Sequence, residues 1–164
     1  KVTIAKNTSI KSGYKQTSTY HCALKCAECI DEAAYGKKFN DYKSILPNAD
    51  DSAFPDLDFW DAYQQKRGVN KYLGIGAYNS TPEEVFSNIY NVLEKNGFVV
   101  AEIPGISTTV NHSVVVQSAF IETVQKIGGK TTTQWMYIVM NPSTGNFENL
   151  GINQITGNVF IFIP

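Results

Sequence analysis

The apolar positions of this chain change period near residue 97: before it they fall at helical spacing, and after it they alternate or run together as strand positions do. Thr17, Ser18 and Thr19 offer N-caps for a helix from Tyr20 or His21 to Tyr35, which Gly36 is placed to end. Asp58 to Arg67 reads as a second helix, stopped by Gly68. The third is the best marked. Thr81-Pro82-Glu83-Glu84 supplies a capping box with proline at the first helical position, Val85, Phe86, Ile89 and Leu93 form an apolar face, and Gly97 ends the helix.

Beyond Gly97 the pattern predicts strands over Phe98–Ile103 and His112 to about Val124, a turn at Gly128-Gly129, and a return strand over Thr131–Met140. Two more follow near Phe147–Ile152 and Val159–Ile163, separated by Thr156-Gly157-Asn158. A helical first part and a strand-rich second part, with no linker or repeat between them, predict one α+β domain over residues 1–164. An N-terminal helix would pack on a C-terminal antiparallel sheet.

Composition adds exclusions more than identity. A chain of 164 residues can bury roughly two-thirds of its unfolded surface without metal or disulfide help. A net charge of −1 and scattered lysines argue against a nucleic-acid partner. No apolar run approaches the roughly 18 residues that a membrane span needs. Three cysteines leave at least one thiol free or paired between chains. A start at Lys1 suits a processed chain, so a secreted or periplasmic setting is expected over a cytoplasmic one.

The candidate chemistry lies at four positions. A thiol that attacks an acyl carbon needs a base, oxyanion donors and a group that orients the base. Gln16 stands six residues before Cys22, and Cys22 falls in the first turn of the first predicted helix, where amide dipoles favour a thiolate. His112 opens a β-branched strand, Ser113-Val-Val-Val116, and Asn141-Pro142 closes the next one. In an antiparallel hairpin the start of one strand lies beside the end of the next, so His112 and Asn141 can meet. Counted from Gly128-Gly129, His112 is sixteen residues before the turn and Asn141 twelve after it, a mismatch that allows a bulge or a frayed strand entry. The other histidine, His21, points about 100° away from its neighbour Cys22 on a helix and is a poor base for it.

The order Gln16, Cys22, His112, Asn141 and the Gln-to-Cys interval resemble the papain-like cysteine peptidases. The residues after the nucleophile, Cys22-Ala-Leu-Lys-Cys26, differ from the Cys-Gly-Ser-Cys-Trp of the papain group proper. Asn111-His112-Ser-Val-Val-Val and Tyr137-Ile-Val-Met-Asn141-Pro142 look more like the small bacterial domains that include bacteriocin leader peptidases. The resemblance implies a papain-like fold and a peptide or protein substrate cleaved at an amide bond. It also implies Cys22 as nucleophile, His112 as base, Asn141 as orienting group, Gln16 as oxyanion donor, and no metal or organic cofactor. Cell-wall amidases and transglutaminases share the fold and the residue order, and a non-enzymatic binding or immunity-like domain could keep the fold without the chemistry.

Two other signals have plainer readings. Cys22, Cys26 and Cys29 have the Cys-x3-Cys-x2-Cys spacing of some iron–sulfur sites, but the segment reads as helix, so Cys26 and Cys29 are expected in the core and no metal is expected. Gly74-Ile-Gly76 lacks the flanking pattern of a phosphate loop.

Overall fold

In the computed structural model, residues 2–18, 21–36, 56–67, 72–76, 80–107 and 110–163 are described. Helix α1 spans Cys22–Tyr35, α2 Asp56–Arg67 and α3 Pro82–Glu94. Strands β1 (Val2–Lys6), β2 (Tyr72–Gly76), β3 (Phe98–Ser107), β4 (Val110–Gln125), β5 (Thr131–Asn141), β6 (Asn146–Gly151) and β7 (Asn158–Phe162) form one antiparallel sheet of seven. The order is β2-β7-β3-β4-β5-β6. β3 runs along one edge of β4 as far as Val116, and β1 continues that edge along Ser118–Glu122. The architecture is α+β, as the pattern predicts.

Alternation along the strands explains why helices cover both faces. Phe98 and Val100 of β3, Phe160 and Phe162 of β7, Val115 and Met140 point to one side, where Ala23, Cys26, Ala27 and Ile30 of α1 and Phe59, Trp60 and Tyr63 of α2 bury them. Val99, Ala101, Val114, Val116, Val139 and Ile161 point to the other, onto Val85, Phe86, Ile89 and Leu93 of α3. A strand buried on both faces needs an unbroken apolar run, and Phe98-Val-Val-Ala101 and Val114-Val-Val116 are such runs.

The helix boundaries differ from expectation at their ends. Thr81 caps α3 as predicted, its hydroxyl accepting from the Glu84 N–H at 3.2 Å. α3 stops at Glu94, however, and Asn96 takes the left-handed conformation (φ 58°) before Gly97. Gly36 ends α1 with φ 76°, but the N-cap of α1 is His21 with no side-chain cap bond, in place of Thr17, Ser18 or Thr19. Gly68, expected to stop α2, lies outside the described residues.

The β4–β5 hairpin carries the expected irregularity. Gln125 pairs with Thr131 across a turn in which Gly128 (φ 93°) and Gly129 (φ 81°) both adopt positive φ. The register then shifts between Val116 and Ser118, leaving Gln117 as the extra residue, whose carbonyl accepts the Asn7 N–H at 2.9 Å. Past the bulge Val115 pairs with Met140, so His112 lies three residues before that pair and Asn141 one after it.

Candidate active site

His112 and Asn141 meet. The imidazole Nε2 lies 2.7 Å from Asn141 Oδ1, and Ser143 Oγ is 3.1 Å from the same nitrogen. The turn after β5 supports this geometry: Gly145 N–H and Thr144 N–H bond the Asn141 carbonyl at 2.7 and 3.1 Å, and Ser143 N–H donates to Asn141 Oδ1 at 3.0 Å. Pro142, with no N–H to offer, ends the ladder.

Cys22 reaches the same region from the other layer. Its sulfur takes hydrogen bonds from the backbone and side chain of Ser113, the residue directly after His112. The N-terminus of α1 is thereby docked on β4 beside the imidazole-bearing position. Ser113 is fully buried and Cys22 only 7% exposed.

That burial changes the electrostatics expected for the thiol. Desolvation pushes the Cys22 thiol up from its ordinary value, and it outweighs the hydrogen bonds from Ser113 and from the Ala23 and Cys22 backbone, which pull it down. A helix N-terminus was expected to lower the thiol. Its amides do act in that direction, but losing water costs the thiolate more than they return. The resting cysteine is therefore a neutral thiol near neutral pH. Iodoacetamide should modify Cys22 at a rate that keeps climbing past pH 9, with no plateau below pH 7. A pH–rate profile with the modified residue mapped by mass spectrometry checks this, and a low-pH plateau would instead reveal a preformed thiolate.

Gln16 is brought close through its backbone. Its N–H donates to the Pro142 carbonyl at 2.8 Å, and three residues earlier Gly13 N–H donates to Gly145 O at 2.7 Å. The loop bearing Gln16 thus lies along the turn that follows Asn141. The Gln16 side chain donates from Nε2 to Ser18 O at 2.9 Å, within the segment that leads into α1. Gly145 makes the docking possible, since it has φ 75° and a Cβ there would stand 3.1 Å from Lys15 Cβ. Gly145→Ala should cost about 1–2 kcal/mol for the left-handed backbone alone, with further loss from displacing Lys15, as measured by urea unfolding.

Cys26 and Cys29 are buried in the core, as expected, and burial pushes the Cys29 thiol up to about 12. Among the described residues no group of three or more His, Cys, Asp or Glu side chains is placed to hold a metal ion. Nor, among them, is any helix long and apolar enough to cross a membrane. Gly74-Ile-Gly76 is part of strand β2, not a loop.

Sequence reading missed two polar neighbours of the site, Ser143 and Glu148. Asn141 Nδ2 donates to Glu148 Oε2 at 2.6 Å. Glu148 sits on β6 opposite Val139, and nothing in Asn146-Phe-Glu-Asn149 marks it apart from other edge-strand polar residues. The chain matches no protein-family model and no curated protein sequence.

Proposed function

We propose that the chain is a thiol-dependent hydrolase of amide bonds, arranged as in papain-like peptidases, with a peptide or protein as substrate. The observation that supports this best is the 2.7 Å contact between His112 Nε2 and Asn141 Oδ1 on a strand whose next residue, Ser113, bonds the Cys22 sulfur. Base and orienting group thus meet from β4 and β5, and α1 packs Cys22 against the residue next to the base; acyl transfer at a cysteine requires all three to converge.

The raised Cys22 thiol sets the order of events. His112 removes the Sγ proton as the sulfur attacks the carbonyl carbon, in general-base fashion, rather than standing beside a preformed thiolate. The C–S bond forms, the carbonyl π electrons move to oxygen, and the backbone N–H of Cys22 with the Gln16 amide steadies the oxyanion. Collapse expels the amine, which takes its proton from His112. Water then attacks the thioester with the same imidazole as base, releasing the acid and restoring the thiol.

One observation favours a second reading. Cys22 is buried with its thiol held up, which also fits a domain that keeps this frame for binding without turnover. The same residue set could serve a cell-wall amidase or a transglutaminase-type acyl transferase. Incubation with casein peptides, with muropeptides, and with a biotin-amine plus a glutamine-bearing peptide separates the cases. New peptide termini, stripped stem peptides, or incorporated biotin would each name a reaction, and silence in all three with intact fold would favour the binding domain.

A further inference from the structure

We infer that Glu148 is a positioning residue that sets the tautomer of His112 through Asn141. The kinetic part of this inference rests on the hydrolase reading, but the tautomer itself does not. An asparagine amide can face either way, and an amide turned round would offer N–H groups to the imidazole instead of its oxygen. Here both ends of the amide meet partners with only one possible role. Glu148 Oε2, 2.6 Å from Nδ2, belongs to a carboxylate that can only accept. The Ser143 backbone N–H, 3.0 Å from Oδ1, can only donate.

The amide oxygen must therefore face His112. An oxygen at 2.7 Å from Nε2 has to receive a proton from it, so the neutral imidazole is the Nε2–H form and Ser143 Oγ at 3.1 Å becomes a second acceptor. Nδ1 is left as the basic nitrogen. The opposite tautomer would place the lone pair on Asn141 and leave a donor, not a base, at Nδ1.

Of the two constraints, the carboxylate is the stronger, because a charge-assisted hydrogen bond is roughly twice as strong as a neutral one. Glu148 is itself held: Thr144 Oγ1 donates to its other oxygen, Oε1, at 3.4 Å, from the turn that also carries Ser143. Its position on β6 opposite Val139, two residues before Asn141 on β5, brings the carboxylate under the amide from the sheet edge.

The test uses protein labelled with nitrogen-15 at histidine, where only His21 and His112 give signals. Long-range imidazole spectra above the titration range should show His112 as Nε2–H in the wild type. Glu148→Ala should convert it to a mixture of tautomers, and Glu148→Gln, whose carbonyl can still accept from Nδ2, should restore the Nε2–H form. Chemical shifts elsewhere report whether each variant is folded, and Asn141→Ala gives the tautomer mixture with Glu148 intact. An unchanged Nε2–H signal in folded Glu148→Ala would overturn the inference.

If amide hydrolysis is found, Glu148→Ala should lower kcat about 10–100-fold with KM little changed, the usual scale for a partner that orients a reacting group. It should add little to Asn141→Ala. Absence of any turnover together with the tautomer change would sink the hydrolase reading while leaving the positioning role intact.

Discussion

Cys22→Ala is expected to abolish the amide hydrolysis proposed for this chain, lowering kcat by a factor on the order of 10⁴ or more, while leaving the protein folded. A nucleophile has no substitute in a covalent mechanism, so what survives its removal is only the help that binding and oxyanion donors give to water. The change removes one sulfur from a site that is 7% exposed, a small cavity beside Ser113, so unfolding free energy should fall by only about 1–2 kcal/mol. His112→Ala should be almost as damaging. The raised thiol makes the base indispensable, since near neutral pH little thiolate exists to attack unaided. Asn141→Ala should cost less, about 10–100-fold, because the imidazole remains but samples other orientations. Comparing kcat/KM of the three variants on one cleaved peptide, with thermal midpoints as the fold control, checks the ranking. A Cys22→Ala protein that retains turnover would remove the thiol from the reaction.

The ranking also separates two ways a cysteine can be activated. A preformed ion pair would make His112→Ala shift the thiol titration strongly, because the imidazolium would be its main partner. A general base would leave that titration governed by burial and by the Ser113 hydrogen bonds, and His112→Ala would remove turnover without moving the alkylation profile of Cys22. The burial of the sulfur favours the second. In the hydrolase proposed above, it would also give the site a cost that substrate binding must offset, since an acyl group would have to reach a sulfur packed against Ser113.

How much of this could be read from the sequence depended on how many local signals agreed. α3 was legible because cap, first-turn proline, acidic residues and apolar face all specify one helix, and the structure keeps them together. β1 was not, because its five residues bury only Ala5 and show a short alternation at the chain start. β2 was hidden by Gly74 and Gly76, which weaken any strand signal. The meeting of His112 and Asn141 followed from hairpin logic, but the bulge at Gln117, whose carbonyl accepts from distant Asn7, shortens their offset by only one residue, so the two meet diagonally across the strand ends. The N-cap was misjudged because the hydroxyl-bearing segment ends one turn too early: the Ser18 carbonyl accepts the His21 N–H at 3.2 Å, and α1 then starts at Cys22 with no side-chain cap bond. The Cys22 thiol was misjudged because helix dipoles are a local signal, whereas desolvation depends on which strand packs against the helix.

Asp31→Ala should be the most destabilising single change away from the site, costing about 3–5 kcal/mol. Asp31 is fully buried on α1 and accepts from Tyr63 Oη at 2.7 Å and from Arg67 Nε at 2.9 Å, while Arg67 Nη2 bonds its second oxygen. Arg67 also lies over the Tyr35 ring at 5.3 Å. Burial, with Asp31 beside it, pushes the Tyr63 phenol upward, so it remains an O–H donor throughout the range in which the protein would work. Removing the carboxylate takes away the acceptor of the buried Tyr63 phenol and the ion-pair partner of the partly exposed Arg67 guanidinium, and breaking such a pair from its buried side costs more than the pair ever contributed. That loss would take a large part of the 5–15 kcal/mol that a domain of this kind has. It should lower the thermal midpoint by about 10 °C or more. The triple change Asp31→Leu, Tyr63→Phe, Arg67→Leu should recover much of the loss, because it removes all three polar groups of the clamp together and strands none of them. Guanidinium unfolding of both variants decides it: a loss under about 1 kcal/mol for Asp31→Ala would show that α1, with Cys22 at its head, is held on the sheet by its apolar face and not by this clamp to α2.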